Sequence, residues 1–344
     1  MKIGIIGYGG VGKALVRLLH MQKDLLSREN LPITVNYIID YYGGIYNPVG
    51  IDLSALIDFT EKEKDITKFA GGNSNLSVSV MAEDPEIDLA VIMTPTNKET
   101  GQPGLGYAQS LLKAGKHVVI SDKGPVMLSY HSLAELAFEK GVQLGIGCTT
   151  GGALPSVNGG VIDMAGSQIS SIEGVLNGTT NFILKYMEDH HCEYADALKI
   201  AQDCGIAETN PSLDVEGWDT AGKLLILTNV LMNENKTLSD ISVEGITELT
   251  AQDIRTAAEE GCKYKLIGKT VCTGDTLKMT VKPEKIKSDH LLYSVEGKNK
   301  AVRYVSDTLG ELAIIGGASG VIPAAASILR DIVNIHRGYS FIRS

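Results

Sequence analysis

The chain has 344 residues, 44% apolar and 21% charged, the balance of a soluble globular protein of about two domains rather than a disordered one. Its 41 acidic against 31 basic side chains leave a net charge of −10, which argues against nucleic acid or an anionic membrane as the main partner. No apolar run approaches the roughly 18 residues of a membrane span, no leader pattern opens the chain, and five cysteines without a C-x-x-C pair read as reduced thiols of a cytoplasmic protein.

KIGIIG (2–7) predicts a buried strand, and the segment after it carries Val11, Ala14, Leu15, Leu18 and Leu19 on one helical face. Between them GYGGVG (7–12) fits the G-x-G-x-x-G turn of a dinucleotide site. Gly7 permits the tight turn, Gly9 lets the backbone approach a pyrophosphate, and Gly12 allows close packing of helix on strand. Gly10 and Val11 complete the turn, where the helix N-terminus offers N–H groups and its positive dipole end. ITVNYIID (33–40) is the next strand. Asp40 at its end is placed to bind the adenosine ribose hydroxyls, the rival reading being a turn-initiating residue. It lies 28 positions after Gly12, more than the ~20 usual for the motif, and MQKDLLSRENLP accounts for the excess as an extended helix and loop. No Lys or Arg occurs between Asp40 and Glu61, which favours NAD over NADP.

IDLAVIM (87–93) and HVVISD (117–122) predict further strands, with a helix over 107–114 between them. Strands this continuously apolar suggest a parallel sheet covered on both faces, a Rossmann-type doubly wound α/β domain over 1–148. Lys123 follows the last of these strands at its carboxyl end, where open α/β sheets bind ligands, although position alone fits a surface lysine equally well.

Beyond residue 148 the texture changes. A glycine-rich stretch (145–156), a strand near 170–178 and period-2 segments such as TLKMTV (276–281) and AVRYVS (301–306) predict an α+β domain over 149–306 with an antiparallel-leaning sheet. The remainder, 307–344, carries IIGGASG and the apolar helix PAAASILRDIVNI (323–335). Within 217–233, a helix otherwise apolar, the only charges are Asp219 and Lys223, spaced i, i+4 on one face. A surface ion pair would show the same spacing, but Leu224, Leu225, Ile226 and Leu227 predict burial, and buried ionisable groups commonly mark a site. Glu208 and Asp214, just upstream, add carboxylates that with a lysine suit a substrate bearing an ammonium group.

These residues together resemble the homoserine dehydrogenase family over nearly the whole chain. The most specific segments are VLNGTTNFIL (175–184) and AETNPSLDVEGWDTAGKLLIL (207–227), joined by 101–126 and by GCTTGGALPS (147–156). The resemblance implies a nucleotide-binding domain, a substrate and dimerisation domain, a homodimer, and a C-terminal segment returning to the nucleotide domain. It implies NAD(P)-linked interconversion of L-homoserine and L-aspartate 4-semialdehyde, on the route to threonine, methionine and isoleucine. By the same resemblance Lys223 is the proton donor, and Lys123 lies by nicotinamide and substrate. Glu208, Asp219 and the loop of Gly205 bind substrate, while Thr94 and Gly320 approach the cofactor. It also implies a sodium ion on the backbone of Thr150, Gly152 and Leu154. Three departures stand out: Asp122 where the family usually has Asn, Gly147 where many members have Glu, and Ala324 where Thr is usual. The length leaves no room for an appended regulatory ACT domain. Two other readings fit the same residues: a paralogous dehydrogenase of another small hydroxy acid, and a non-catalytic dinucleotide sensor.

Overall fold

The computed structural model describes residues 1–274 and 276–342. Its chain divides into two compact units, Met1–Thr149 with the described residues from Gly320 onward, and Thr150–Ser319.

The first unit is built on β1 (Lys2–Ile6), β2 (Thr34–Asp40), β3 (Gly43–Tyr46), β4 (Gly72–Asn73), β5 (Leu89–Ile92), β6 (His117–Ile120) and β7 (Leu144–Gly145). Their order across the sheet is β4-β3-β2-β1-β5-β6-β7. Ile3, Ile5, Ile38, Leu89, Val91 and Val118 are sealed from solvent, as strands covered on both faces require. Strand order reverses at β1, which pairs parallel with both β2 and β5, so the carboxyl ends of these three strands border the switch point where such sheets bind ligands.

The strands read from sequence, β1, β2, β5 and β6, pair parallel as expected, and the sheet adds an edge that was not foreseen, with β2–β3 and β3–β4 antiparallel. Tyr41 and Tyr42 form the two-residue link between β2 and β3, with Asp40 opposite Gly43, and they carry none of the Asn-Gly chemistry that signals a hairpin. The helix expected from 107 begins at Gly104. A Cβ at Gly104 would lie 2.5 Å from the Asp122 carboxylate, so a tertiary contact demands a glycine that helix propensity discounts. The stretch between Gly12 and Asp40 does fold as the helix Gly10–Met21, the short helix Lys23–Arg28 and a loop.

In the second unit β8 (Ile169–Val175), β9 (Ile241–Val243), β10 (Cys262–Thr273), β11 (Thr276–Lys287), β12 (Lys300–Ser306) and β13 (Glu311–Gly316) form a sheet in the order β13-β12-β8-β10-β11-β9. All its pairs are antiparallel except β11–β9. The helix Trp218–Leu231 lies on β8 and β10 with Ala221, Leu224 and Leu227 fully buried. At Gly268 on β10 a Cβ would meet Thr220 at 3.0 Å, so the glycine lets the helix approach. Because β13 is zipped to β12, residues 307–319 belong to this unit, and the segment placed at 307–344 leaves it only at Gly320.

From there the helix Val321–His336 packs on the helix Gly10–Met21 and on β6 and β7. Its hydrophobic face is anchored by one buried charge: the Gly147 N–H donates to Asp331 Oδ2 at 2.7 Å. No helix among the described residues is long and apolar enough to cross a membrane. Asp331→Ala strands that N–H, and urea unfolding should record a loss of about 1–3 kcal/mol.

Candidate functional site

In the first unit the glycines of the turn separate by what surrounds them. Gly7 has φ +93°, and a Cβ there would lie 2.6 Å from the Met93 carbonyl. At Gly12 a Cβ would lie 2.4 Å from the Gly7 carbonyl, and at Gly10 it would meet Val321 at 3.0 Å. Gly9 differs: no heavy atom lies within 4 Å of its Cβ position. Packing therefore explains Gly7 and Gly12, while Gly9 keeps open the N-terminus of the helix Gly10–Met21, which has no side-chain cap. Val11 is half-buried in that first turn. Gly320, at φ +115°, is the likewise uncapped N-terminus of the helix Val321–His336.

A cavity of about 980 Å³ opens at the carboxyl ends of β1, β2 and β5, lined by Gly7, Asp40, Tyr41, Thr94, Lys98 and Tyr107 among others. Its volume, the exposed Asp40 carboxylate and the uncapped helix end beside Gly9 fit a dinucleotide. Lys98, from the chain after β5, lines the same cavity as Asp40, a proximity that the 58 positions between them hide in the sequence.

Asp122 is 1% exposed and caps the helix Lys123–Glu139, accepting from Gly124 N at 3.0 Å, with its other oxygen accepting from the Thr94 hydroxyl at 2.9 Å. Capping is work that Asp and Asn share, which accounts for the departure at this position. Burial pushes its carboxyl above the usual carboxylate range, against the Gly124 N–H and the Thr94 hydroxyl. Lys123 is the first residue of that helix, half-buried, with its backbone N–H 3.4 Å from Thr96 Oγ1.

The second unit holds the lysine and carboxylates. Lys223 donates to Asp219 Oδ2 at 2.5 Å and to the Leu176 carbonyl at 2.8 Å, with both side chains 14% exposed. Its third N–H meets no acceptor among the described residues of this unit. Asn177 joins the cluster: its amide nitrogen donates to Asp214 Oδ1 at 2.6 Å and to Asp219 Oδ2 at 2.9 Å. Its amide oxygen accepts from Thr180 N at 2.9 Å and so caps the helix Gly178–His190. Burial and the Asp219 charge raise the Asp214 carboxyl above its usual range, against the Asn177 amide and the Lys223 ammonium.

Thus Asp214, Asp219 and Lys223 are brought together, while Glu208 stands apart. Glu208 is exposed, and its side chain makes no hydrogen bond among the described residues of this unit; only its backbone carbonyl is engaged, by Gln202 at 3.2 Å. Gly205, also exposed, turns the chain at φ +65°. Asn177 was not singled out from sequence. Asn before a helix signals a cap, but nothing local shows that the same amide will bridge two carboxylates 37 and 42 positions away. Among the described residues no three His, Cys, Asp or Glu side chains stand together as a metal site would need.

The family model described as homoserine dehydrogenase matches residues 155–333, and that of an oxidoreductase family with an NAD-binding Rossmann fold matches residues 1–147. The chain belongs to the homoserine dehydrogenase family. It is 36% identical to the homoserine dehydrogenase of Methanocaldococcus jannaschii, covering 98% of each chain. With the NAD(+)-dependent homoserine dehydrogenase of Pseudomonas canavaninivorans it shares 31% identity over 98% of this chain and 96% of that one. A mutant hyperthermophilic archaeal homoserine dehydrogenase, solved in complex with NADPH, superposes with a TM-score of 0.84 at 26% identity, covering 99% of both chains.

The two kinds of glycine are separable by experiment. Gly9→Ala should leave the thermal midpoint unchanged and weaken NADH binding about tenfold or more in a fluorescence titration. Gly12→Ala should instead destabilise the fold by about 1–3 kcal/mol.

Proposed function

We propose that this protein interconverts L-homoserine and L-aspartate 4-semialdehyde with a nicotinamide dinucleotide, preferring NAD. The observation that carries the reading is the cluster of Lys223 with Asp219 and Asp214. Two carboxylates against one ammonium leave it a single negative charge when all three are ionised, which favours the α-ammonium group of an amino-acid substrate. A sensor without catalysis would have no use for a lysine whose third N–H is kept available.

NAD(P), when bound, supplies or takes up the hydride. Lys223 supplies the proton that the aldehyde oxygen gains, and its ammonium stabilises the charge developing on that oxygen. Asp219 and the Leu176 carbonyl hold two of its hydrogens and aim the third. Asp214 and Asp219 receive the substrate ammonium, with Glu208 and the Gly205 loop as further substrate contacts. Lys123 polarises the substrate oxygen or relays the proton. Gly7, Gly9, Gly10, Val11, Gly12, Thr94 and Gly320 hold the dinucleotide, and Asp40 takes its ribose hydroxyls. Lys223→Ala should lower kcat by about 10²–10⁴-fold while NADH affinity holds, measured by absorbance at the reduced-nicotinamide band. A variant keeping half of the wild-type turnover would refute the assignment.

The raised Asp214 carboxyl sets the acid limb. As pH falls through its elevated range Asp214 takes up a proton, the cluster loses its net negative charge, and KM for homoserine should rise while kcat changes little. That rise begins at higher pH than an ordinary carboxylate would give. Asp214→Asn should keep KM high throughout and flatten the limb.

Cofactor choice rests on Asp40, whose carboxylate repels a 2′-phosphate. Wild type should show the higher kcat/KM with NADH. In Asp40→Ala the preference should narrow or reverse, because Lys98 on the same cavity supplies the charge a 2′-phosphate needs. A tenfold preference of wild type for NADPH would contradict this.

A further inference from the structure

The family resemblance carries a sodium ion on the carbonyls of Thr150, Gly152 and Leu154, and the loop itself tests that expectation. Lys300, the first residue of β12, is 5% exposed, and its Nζ donates to the Gly151 carbonyl at 2.6 Å. Gly151 lies between two of the three expected ligands. A Cβ on Gly152, at φ +60°, would stand 3.5 Å from the same nitrogen. The Gly151 carbonyl also accepts from Leu154 N at 3.2 Å, so both its lone pairs are engaged.

The rest of the loop is held by its own hydrogen bonds and by β12. The Leu154 carbonyl accepts from Ser156 N at 2.8 Å, and the Thr150 and Ser156 hydroxyls share a hydrogen bond of 2.7 Å. The Tyr304 hydroxyl of β12 donates to the Ser156 carbonyl. Gly317, at φ +75°, presses so close that a Cβ would lie 2.4 Å from Leu154 N. Protonated, Lys300 places a unit charge with the sign of sodium on the Gly151 carbonyl, between two of the expected ligands. A second monovalent cation a few ångströms away in a buried site meets repulsion that little water screens. The residues present do not fit a resident sodium ion.

We propose that Lys300 is an internal replacement for a monovalent metal ion. Its ammonium orders the 150–156 loop through the Gly151 carbonyl, so the stability of this protein depends on neither sodium nor potassium. A covalently tethered cation loses no translational freedom on folding into its site, and dilution cannot remove it.

The test uses thermal unfolding of the full chain in sodium, potassium and choline chloride at one ionic strength, a readout independent of the proposed catalysis. Wild type should unfold at the same midpoint in all three salts. Lys300→Met, close in shape but uncharged, should unfold roughly 2–6 °C lower in choline chloride and recover saturably as sodium or potassium is added. If Lys300→Met does not fold, Lys300→Gln, which keeps an N–H donor without the charge, takes its place with the same expectations. A wild-type midpoint that rises saturably with sodium or potassium overturns the proposal. So does a variant that unfolds like wild type in choline chloride, or one whose loss neither ion restores.

Discussion

One amide holds the second unit's chemistry in place. Asn177 has two N–H donors and one acceptor oxygen in a fixed plane, and all three are used: the oxygen caps a helix, the hydrogens bind Asp214 and Asp219. Two carboxylates this close repel each other, and burial makes the repulsion larger. The amide offsets part of that cost from one side and Lys223 offsets it from the other. Because the same side chain starts the helix Gly178–His190, the position of the carboxylates is referenced to the backbone rather than to another flexible side chain. Lys223 is referenced in the same way, through the Leu176 carbonyl immediately before Asn177.

Three lysines of this unit use a backbone carbonyl to make burial tolerable, and their remaining partners set them apart. Lys265, 1% exposed, donates to the Val295 carbonyl and to Asn181 Oδ1, and burial pushes its ammonium down to about 8. Lys300 is lodged on the Gly151 carbonyl. Lys223 alone of the three pairs directly with one of the clustered carboxylates. A buried ammonium held on backbone carbonyls organises the chain around it.

Glycine in the first unit divides along a similar line. Gly7 and Gly12 answer to the protein's own carbonyls, and Gly104 to the Asp122–Thr94 pair. Gly9 meets no such neighbour among the described residues and leaves the start of its helix open. Asp122 ties the two themes together: it caps a helix with one oxygen and with the other holds Thr94, which lines the cavity.

Local physics made much of this protein legible before any coordinates. The period-2 and 3.6-residue patterns sufficed for β1, β2, β5, β6, β11, β12 and the helices after Gly9, Gly217 and Gly320, because burial of one face imposes its period on the sequence. The glycine turn and the i, i+4 pair Asp219 and Lys223 were visible for the same reason, each being a constraint between near neighbours. Tertiary structure decided the rest. The antiparallel edge β3–β4, the start of a helix at Gly104 and the adhesion of residues 307–319 to the second sheet all depend on contacts with distant strands. Asn177 bridging two carboxylates, Lys98 and Asp40 lining one cavity and Lys300 meeting the Gly151 carbonyl depend on which side chains meet after folding. A one-dimensional pattern records how often a residue is buried, and only the folded chain fixes against what.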